Sequence, residues 1–157
     1  MAQKNVTMKR ILLIFTSLLA LQLGAQEISK EKEAIKKVIQ TAYVDGLQNE
    51  GNLVKIDSGI HPGFNLIGIA ENNEVWVLSI EQWKERTEKK VKEGKLPRTG
   101  DQVSVKFENI DVTGTAAVAK IGFYVGDKKV YVDYISLYKF EKGWMMVNKI
   151  YYKLPEE

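Results

Sequence analysis

The side chains in this chain best equipped for chemistry are one histidine, His61, and a carboxylate, Asp133, set inside an apolar run. Imidazole is the one side chain whose unperturbed pKa suits proton transfer near neutrality. Asp133 stands between Val132 and Tyr134, where a strand disfavours Asp and a buried charge is costly unless a partner offsets it. It therefore needs water or a partner, and a pocket could supply either. With Asp133 across a cavity mouth, His61 would form an acid/base pair in which the carboxylate orients the ring. The structural alternatives are a His61 that caps a short helix and bonds a backbone carbonyl, and an Asp133 paired with Lys149 on the neighbouring strand.

Strand parity sorts the neighbours of these groups. Tyr131, Asp133, Ile135 and Leu137 point to one face, and Val132, Tyr134, Ser136 and Tyr138 to the other. The Asp133 side makes the better inner wall, because Ile135 and Leu137 are more apolar than Ser136. On the last strand Trp144, Met146, Asn148 and Ile150 share parity. Asn148 offers both a donor and an acceptor, as a heteroaromatic ring requires, while Trp144 and Met146 suit a plain core. Tyr43 and Trp83, on helices, are placed to close the cavity and stack on a planar ligand, or else to pack as ordinary amphipathic faces.

Other chemistries find little footing. With a single His and no Cys, no spacing resembles a zinc site, and no Gly-rich phosphate loop follows a strand. A Ser, His and Asp triad would need His61 as base, and no Ser sits in a nucleophile turn. No metal and no cofactor is therefore expected. The clusters Lys30 to Lys37 and Lys84 to Lys92 mix signs and read as solvated helix faces.

The N-terminal 25 residues have the order of an export signal: Lys4, Lys9 and Arg10, then the apolar stretch Ile11 to Leu23, then Gly24-Ala25. That stretch is too short to span a bilayer, so the expectation is cleavage after Ala25, no membrane anchor, and a periplasmic or secreted protein. Residues 1–25 hold three of the 23 Lys and Arg and none of the 20 Asp and Glu, leaving 20 of each and no net charge. Nucleic acid, which calls for a positive excess, is not an expected partner. Without cysteine there is no disulfide framework. Residues 26–157 are enough for one domain with one core.

These residues must be positioned by a simple succession of elements. A helix capped by Ser29 is predicted from Ala34, Ile35, Val38, Ile39, Ala42, Tyr43 and Leu47. A short helix with Leu53, Val54 and Ile56 ends at Ser58-Gly59, with Gly59 expected in the left-handed conformation. Strands over Phe64 to Ala70 and Glu74 to Leu78 join at Asn72-Asn73, and Ser79 with Gln82 forms a capping box for a surface helix to Glu93. Four strand-like runs follow: Val103 to Val112, Ala116 to Val125, Lys129 to Phe140 and Trp144 to Lys153. The short turns between them imply an antiparallel meander. The outcome is an α+β domain in which a long sheet curls around helices and leaves a conical cavity.

The segment Ile60-His61-Pro62-Gly63-Phe64, the run Val132-Asp133-Tyr134-Ile135-Ser136-Leu137, and Lys142-Gly143-Trp144 through Val147-Asn148-Lys149 together resemble the family described as "Putative lumazine-binding", within the nuclear transport factor 2-like superfamily. The resemblance covers nearly all of residues 26–157 and implies a curved antiparallel sheet with helices on its concave face, a pocket and a homodimer. The superfamily includes isomerases, dehydratases, cyclases and binders, so fold does not decide function. Phe64 to Ala70 lacks the acid that a ketosteroid isomerase of that superfamily would carry there, which counts against that mechanism.

The expected function is the binding of a small, planar, largely apolar ligand without chemistry. The ligand-binding candidates are Tyr43, His61, Phe64, Trp83, Tyr131, Asp133 and Asn148. One alternative is a cofactor-independent isomerase, dehydratase or hydrolase with His61 as base and Asp133 as its orienter. Another is an interaction domain whose cavity is filled by its own side chains. Val132, Tyr134, Tyr138 and Phe140 form a face too apolar for open solvent, which marks it as a homodimer surface.

Overall fold

A computed structural model describes residues 26–155; the export signal read over residues 1–25 lies outside the described residues. Helix α1 occupies residues 26–50, with π-type winding over Ile39–Glu50. Ser29 thus lies inside the helix and does not cap it, because Gln26, Glu27 and Ile28 are themselves helical. The helix ends at Gly51, whose φ of 70° is the left-handed conformation that glycine adopts without penalty. Helix α2 (Leu53–Asp57) follows at once, capped by Asn52, whose side chain accepts from the Lys55 N–H.

Gly59 has a role other than the one its sequence position predicts. The cap of α2 is Ser58 in a right-handed conformation, and Gly59 is not among the residues with positive φ. A Cβ on Gly59 would stand 2.8 Å from both Ala42 Cβ and Val38 Cγ1. Its lack of a side chain lets the chain entering the sheet press against α1.

The sheet has six strands, β1 (Ile60–Ile69), β2 (Val75–Ser79), β3 (Val103–Thr113), β4 (Ala116–Val125), β5 (Lys128–Phe140) and β6 (Gly143–Lys153), in the order β2-β1-β6-β5-β4-β3. The expected β3 to β6 meander is antiparallel throughout, but β1 pairs with β6 in parallel, so the sheet is mixed. β1 also begins earlier than Phe64. Its pairing steps from Ile60↔Met146 to Asn65↔Asn148, and Pro62, which has no N–H to give, falls in this irregular stretch.

Helix α3 (Ile80–Lys92) starts with the expected Ser79–Gln82 capping box and is followed by Gly94 at a φ of 69°. It buries only Ile80 and Thr87, leaving Val91 exposed, as suits a helix lying on a surface. The core lies between α1, α2 and the inner face of the sheet. Ile35, Ile39 and Ile56 from the helices meet Ile121, Ile135 and Leu137 from β4 and β5. Each such side chain contributes roughly 1.5–3 kcal/mol by leaving water. Asn49, near the end of α1, pins the first residue of β3 by accepting from the Val103 N–H and donating to its carbonyl.

Candidate functional site

β5 holds Asp133, Ile135 and Leu137 fully inside while Tyr134 and Tyr138 point out, as strand parity predicts. On β6 the parity changes midway. Leu137 pairs with Met146, but Ser136 pairs with Asn148, leaving Val147 as an extra residue. Such a bulge puts the residues on either side of it out of phase. Trp144 and Met146 therefore face the core from one half of the strand, and Lys149 and Tyr151 face inward from the other. Asn148, which unbroken alternation would have put on the Trp144 and Met146 face, donates instead to the backbone carbonyl of Asn65 at 3.3 Å and does not line the cavity.

Lys149 reaches diagonally across the strand pair to Asp133, with Nζ 2.9 Å from Oδ2. Tyr43, from the π-wound part of α1, completes the cluster. Its hydroxyl donates to the same Oδ2 at 2.9 Å and accepts from Lys149 at 2.8 Å. All three side chains are buried, and Asp133 Oδ1 is buried without a protein partner. The Lys149 ammonium also lies 5.0 Å from the ring centre of Tyr43, 5.8 Å from that of Trp83 and 5.4 Å from that of Tyr151. Ring faces at such distances attract a cation and partly replace its lost water.

Above this cluster is a cavity of 230 Å³. Trp83 from α3, Phe123 from β4, Tyr131 from β5 and Tyr151 from β6 join Tyr43 in its wall, with Leu66 beside them. Phe123 and Tyr131 stand directly opposite on paired strands, their ring centres 5.6 Å apart. Lys149 is the cationic group at the buried end. Gln48 adds an amide, and the exposed Lys90 brings the cavity to the surface of α3. No carboxylate is among the lining residues; Asp133 lies behind Lys149.

Of the candidates read from the sequence, Tyr43, Trp83 and Tyr131 meet at this cavity, and Asp133 supports it from below. Phe64 is buried beside Trp83, ring centres 6.3 Å apart, but does not line it. His61 is not brought to Asp133. Its ring stacks on Phe140 at 4.7 Å, and its Nδ1 accepts from the Gly63 N–H within its own turn. Nor does it cap α2, whose last turn is closed by the Ser58 N–H and hydroxyl. Trp144, read as plain core, is buried with its indole N–H on Glu31.

Sequence reasoning had Lys149 only as a structural partner for Asp133, and it missed Gln48, Leu66, Lys90, Phe123 and Tyr151 as lining. A signal for Phe123 was present, since it continues the inward alternation of Ala117, Ala119 and Ile121 on β4. The direction of Tyr151 depends on the Val147 bulge, which no residue type announces.

Burial, and then the Asp133 charge, hold the Tyr43 phenol well above its ordinary value of 10.0. Burial pushes the Lys149 ammonium down from 10.5, against the opposing pull of Asp133. For Lys149 the unfolded chain holds the extra proton, so its contribution to stability rises with pH up to the unfolded value. For Tyr43 the folded chain keeps a proton that the unfolded chain releases, so stability falls as pH rises through 10.0 and beyond. Denaturant unfolding of the protein and its Tyr43→Phe variant across pH 9 to 11, roughly the range in which phenols titrate, should therefore give a shallower alkaline loss in the variant. Parallel pH profiles would show that Tyr43 titrates as it does in the unfolded chain.

Among the described residues, no group of His, Asp or Glu could hold a metal ion, and no helix is long and apolar enough to cross a membrane.

Comparison with known proteins follows the fold and the cavity. The model of the family described as "Putative lumazine-binding" matches residues 30–152. A nuclear transport factor 2-like protein of unknown function from Shewanella baltica is 22% identical, with a TM-score of 0.65 over 82% of this chain and 97% of its own. One from Silicibacter pomeroyi is 16% identical, with a TM-score of 0.65 over 81% and 98%. One from Methylobacillus flagellatus is 18% identical, with a TM-score of 0.58 over 80% and 94%. These likenesses establish the nuclear transport factor 2-like fold. No curated protein matches the chain.

Proposed function

Because the chain belongs to the family described as "Putative lumazine-binding", we propose that it holds one small planar molecule, without chemistry, in the cavity above Lys149. The observation that carries this reading is the wall itself: five aromatic side chains around 230 Å³, with a buried ammonium at the polar end. Aromatic rings supply flat apolar contact, and a few fixed donors orient the guest. Lys149 is a donor without acceptor capacity, so the guest presents an oxygen or ring nitrogen to it. The family name makes lumazine the first probe.

Tryptophan fluorescence titration with lumazine and related fused-ring heteroaromatics tests the proposal. Saturable quenching is expected, and Trp83→Phe should remove most of it, because Trp144 is tied to Glu31 and Trp76 packs beside Tyr151 outside the lining. Quenching that survives Trp83→Phe unchanged would place the guest elsewhere. The separation of His61 from Asp133 weighs against the hydrolase, dehydratase or isomerase reading built on that pair.

The same reading includes export and a homodimer. The order of residues 4–25 supports export, and Tyr134, Tyr138, Phe140, Ile150 and Tyr152, exposed on β5 and β6, support self-association. Sedimentation of the chain from Gln26 onward should give a dimer that Tyr138→Glu with Tyr152→Glu converts to monomer. A monomeric parent protein, or a dimer indifferent to both changes, would refute that surface.

A further inference from the structure

We propose that Lys149 captures carbonyl compounds: the amine forms an imine with a planar aromatic aldehyde seated in the cavity. This rests on the ligand-pocket reading above, replaces its non-covalent hold by a reversible covalent one, and names a chemical class for its guest. Three observations support it. The ammonium stands at the buried end of the cavity, within 6 Å of three ring faces, so an aldehyde stacked among Tyr43, Trp83 and Tyr151 has its reactive carbon near Nζ. A base is already in contact, since Asp133 Oδ2 lies 2.9 Å from Nζ, and the Tyr43 hydroxyl touches both. Burial also lowers the preference of the amine for its proton, which is how a lysine becomes a nucleophile.

The step balances within these groups. Lys149 passes a proton to Asp133, leaving an amine and a carboxylic acid. The nitrogen lone pair then forms a bond to the carbonyl carbon while the C=O π pair moves to oxygen, and one N–H proton shifts to that oxygen to give a carbinolamine. Asp133 returns its proton to the carbinolamine hydroxyl, the C–O bond breaks, water leaves, and the remaining nitrogen lone pair closes the C=N bond. The product is an iminium beside a carboxylate, with the charge of the original pair restored. Tyr43, bonded to both partners, holds them in register.

Exposed lysines lack this burial among ring faces, and Lys90 at the rim is the internal comparison. The test is brief exposure of the protein to equimolar 2-naphthaldehyde with sodium cyanoborohydride, followed by peptide mass mapping. The expected adduct is on Lys149, at least tenfold above that on Lys90, and it is suppressed by 2-naphthalenemethanol, which fills the cavity but forms no imine. Lys149→Arg keeps a cation beside Asp133 and should lose the adduct, and in the parent protein 2-naphthalenemethanol should quench Trp83. Adducts confined to exposed lysines, with the alcohol still bound, would overturn carbonyl capture and leave the pocket reading standing. Failure of the alcohol to bind, together with no adduct on Lys149, would overturn both.

Discussion

Replacing Lys149 by Met alone is expected to cost about 3–5 kcal/mol of folding stability, because it leaves the Asp133 carboxylate buried with one neutral hydroxyl for company. Asp133 Oδ1 already lacks a protein partner, so no second donor remains to soften the loss. Apolar replacement of the whole cluster behaves differently. In Lys149→Met with Asp133→Leu and Tyr43→Phe, no charge is desolvated on folding, and stability should return to within about 1–2 kcal/mol of the parent protein. Urea unfolding of the single and triple variants measures both. Losses that simply add, so that the triple variant is the least stable, would mean that the cluster stabilises the fold by itself. The expected pattern makes these three residues a costly arrangement kept for what it presents to the cavity.

Filling that cavity should abolish binding without touching the charged cluster. Leu66 lines it from β1, and Leu66→Trp would place an indole where the guest lies. A loss of at least 100-fold in affinity for the best fused-ring ligand is expected, about 2.7 kcal/mol of binding free energy. Folding stability should change by no more than the roughly 1–3 kcal/mol typical of overpacking, since the new ring has empty volume to enter. Calorimetric titration with a thermal melt separates the two quantities. Undiminished affinity in a folded Leu66→Trp protein would place the guest at another surface.

The fold was legible because its signals are local. The Ser79–Gln82 box, the Asn73 turn and the glycines after α1 and α3 all follow from residue type. The alternation of Asp133, Ile135 and Leu137 gave the inner face of β5 correctly. What stayed hidden depends on pairing between distant segments. The parallel contact of β1 with β6 has no signature in either strand, and the Val147 bulge exchanges Asn148 for Lys149 on the inner face. A single extra residue thus moved an amide out of the site and a cation into it. His61 was overvalued for the opposite reason. Its chemistry is conspicuous, but its place beside Pro62 and Gly63 turns its ring onto Phe140 instead of toward Asp133.

The most direct test of the cavity as a binding site is native mass spectrometry on the protein purified from its own cell, beside the Leu66→Trp variant prepared in the same way. The account predicts a small retained mass on the parent protein, with an absorbance band of an aromatic ring, and its absence from the variant. Equal retained mass on both proteins, or a clean parent protein that lumazine and the other fused-ring probes also fail to load, would contradict it.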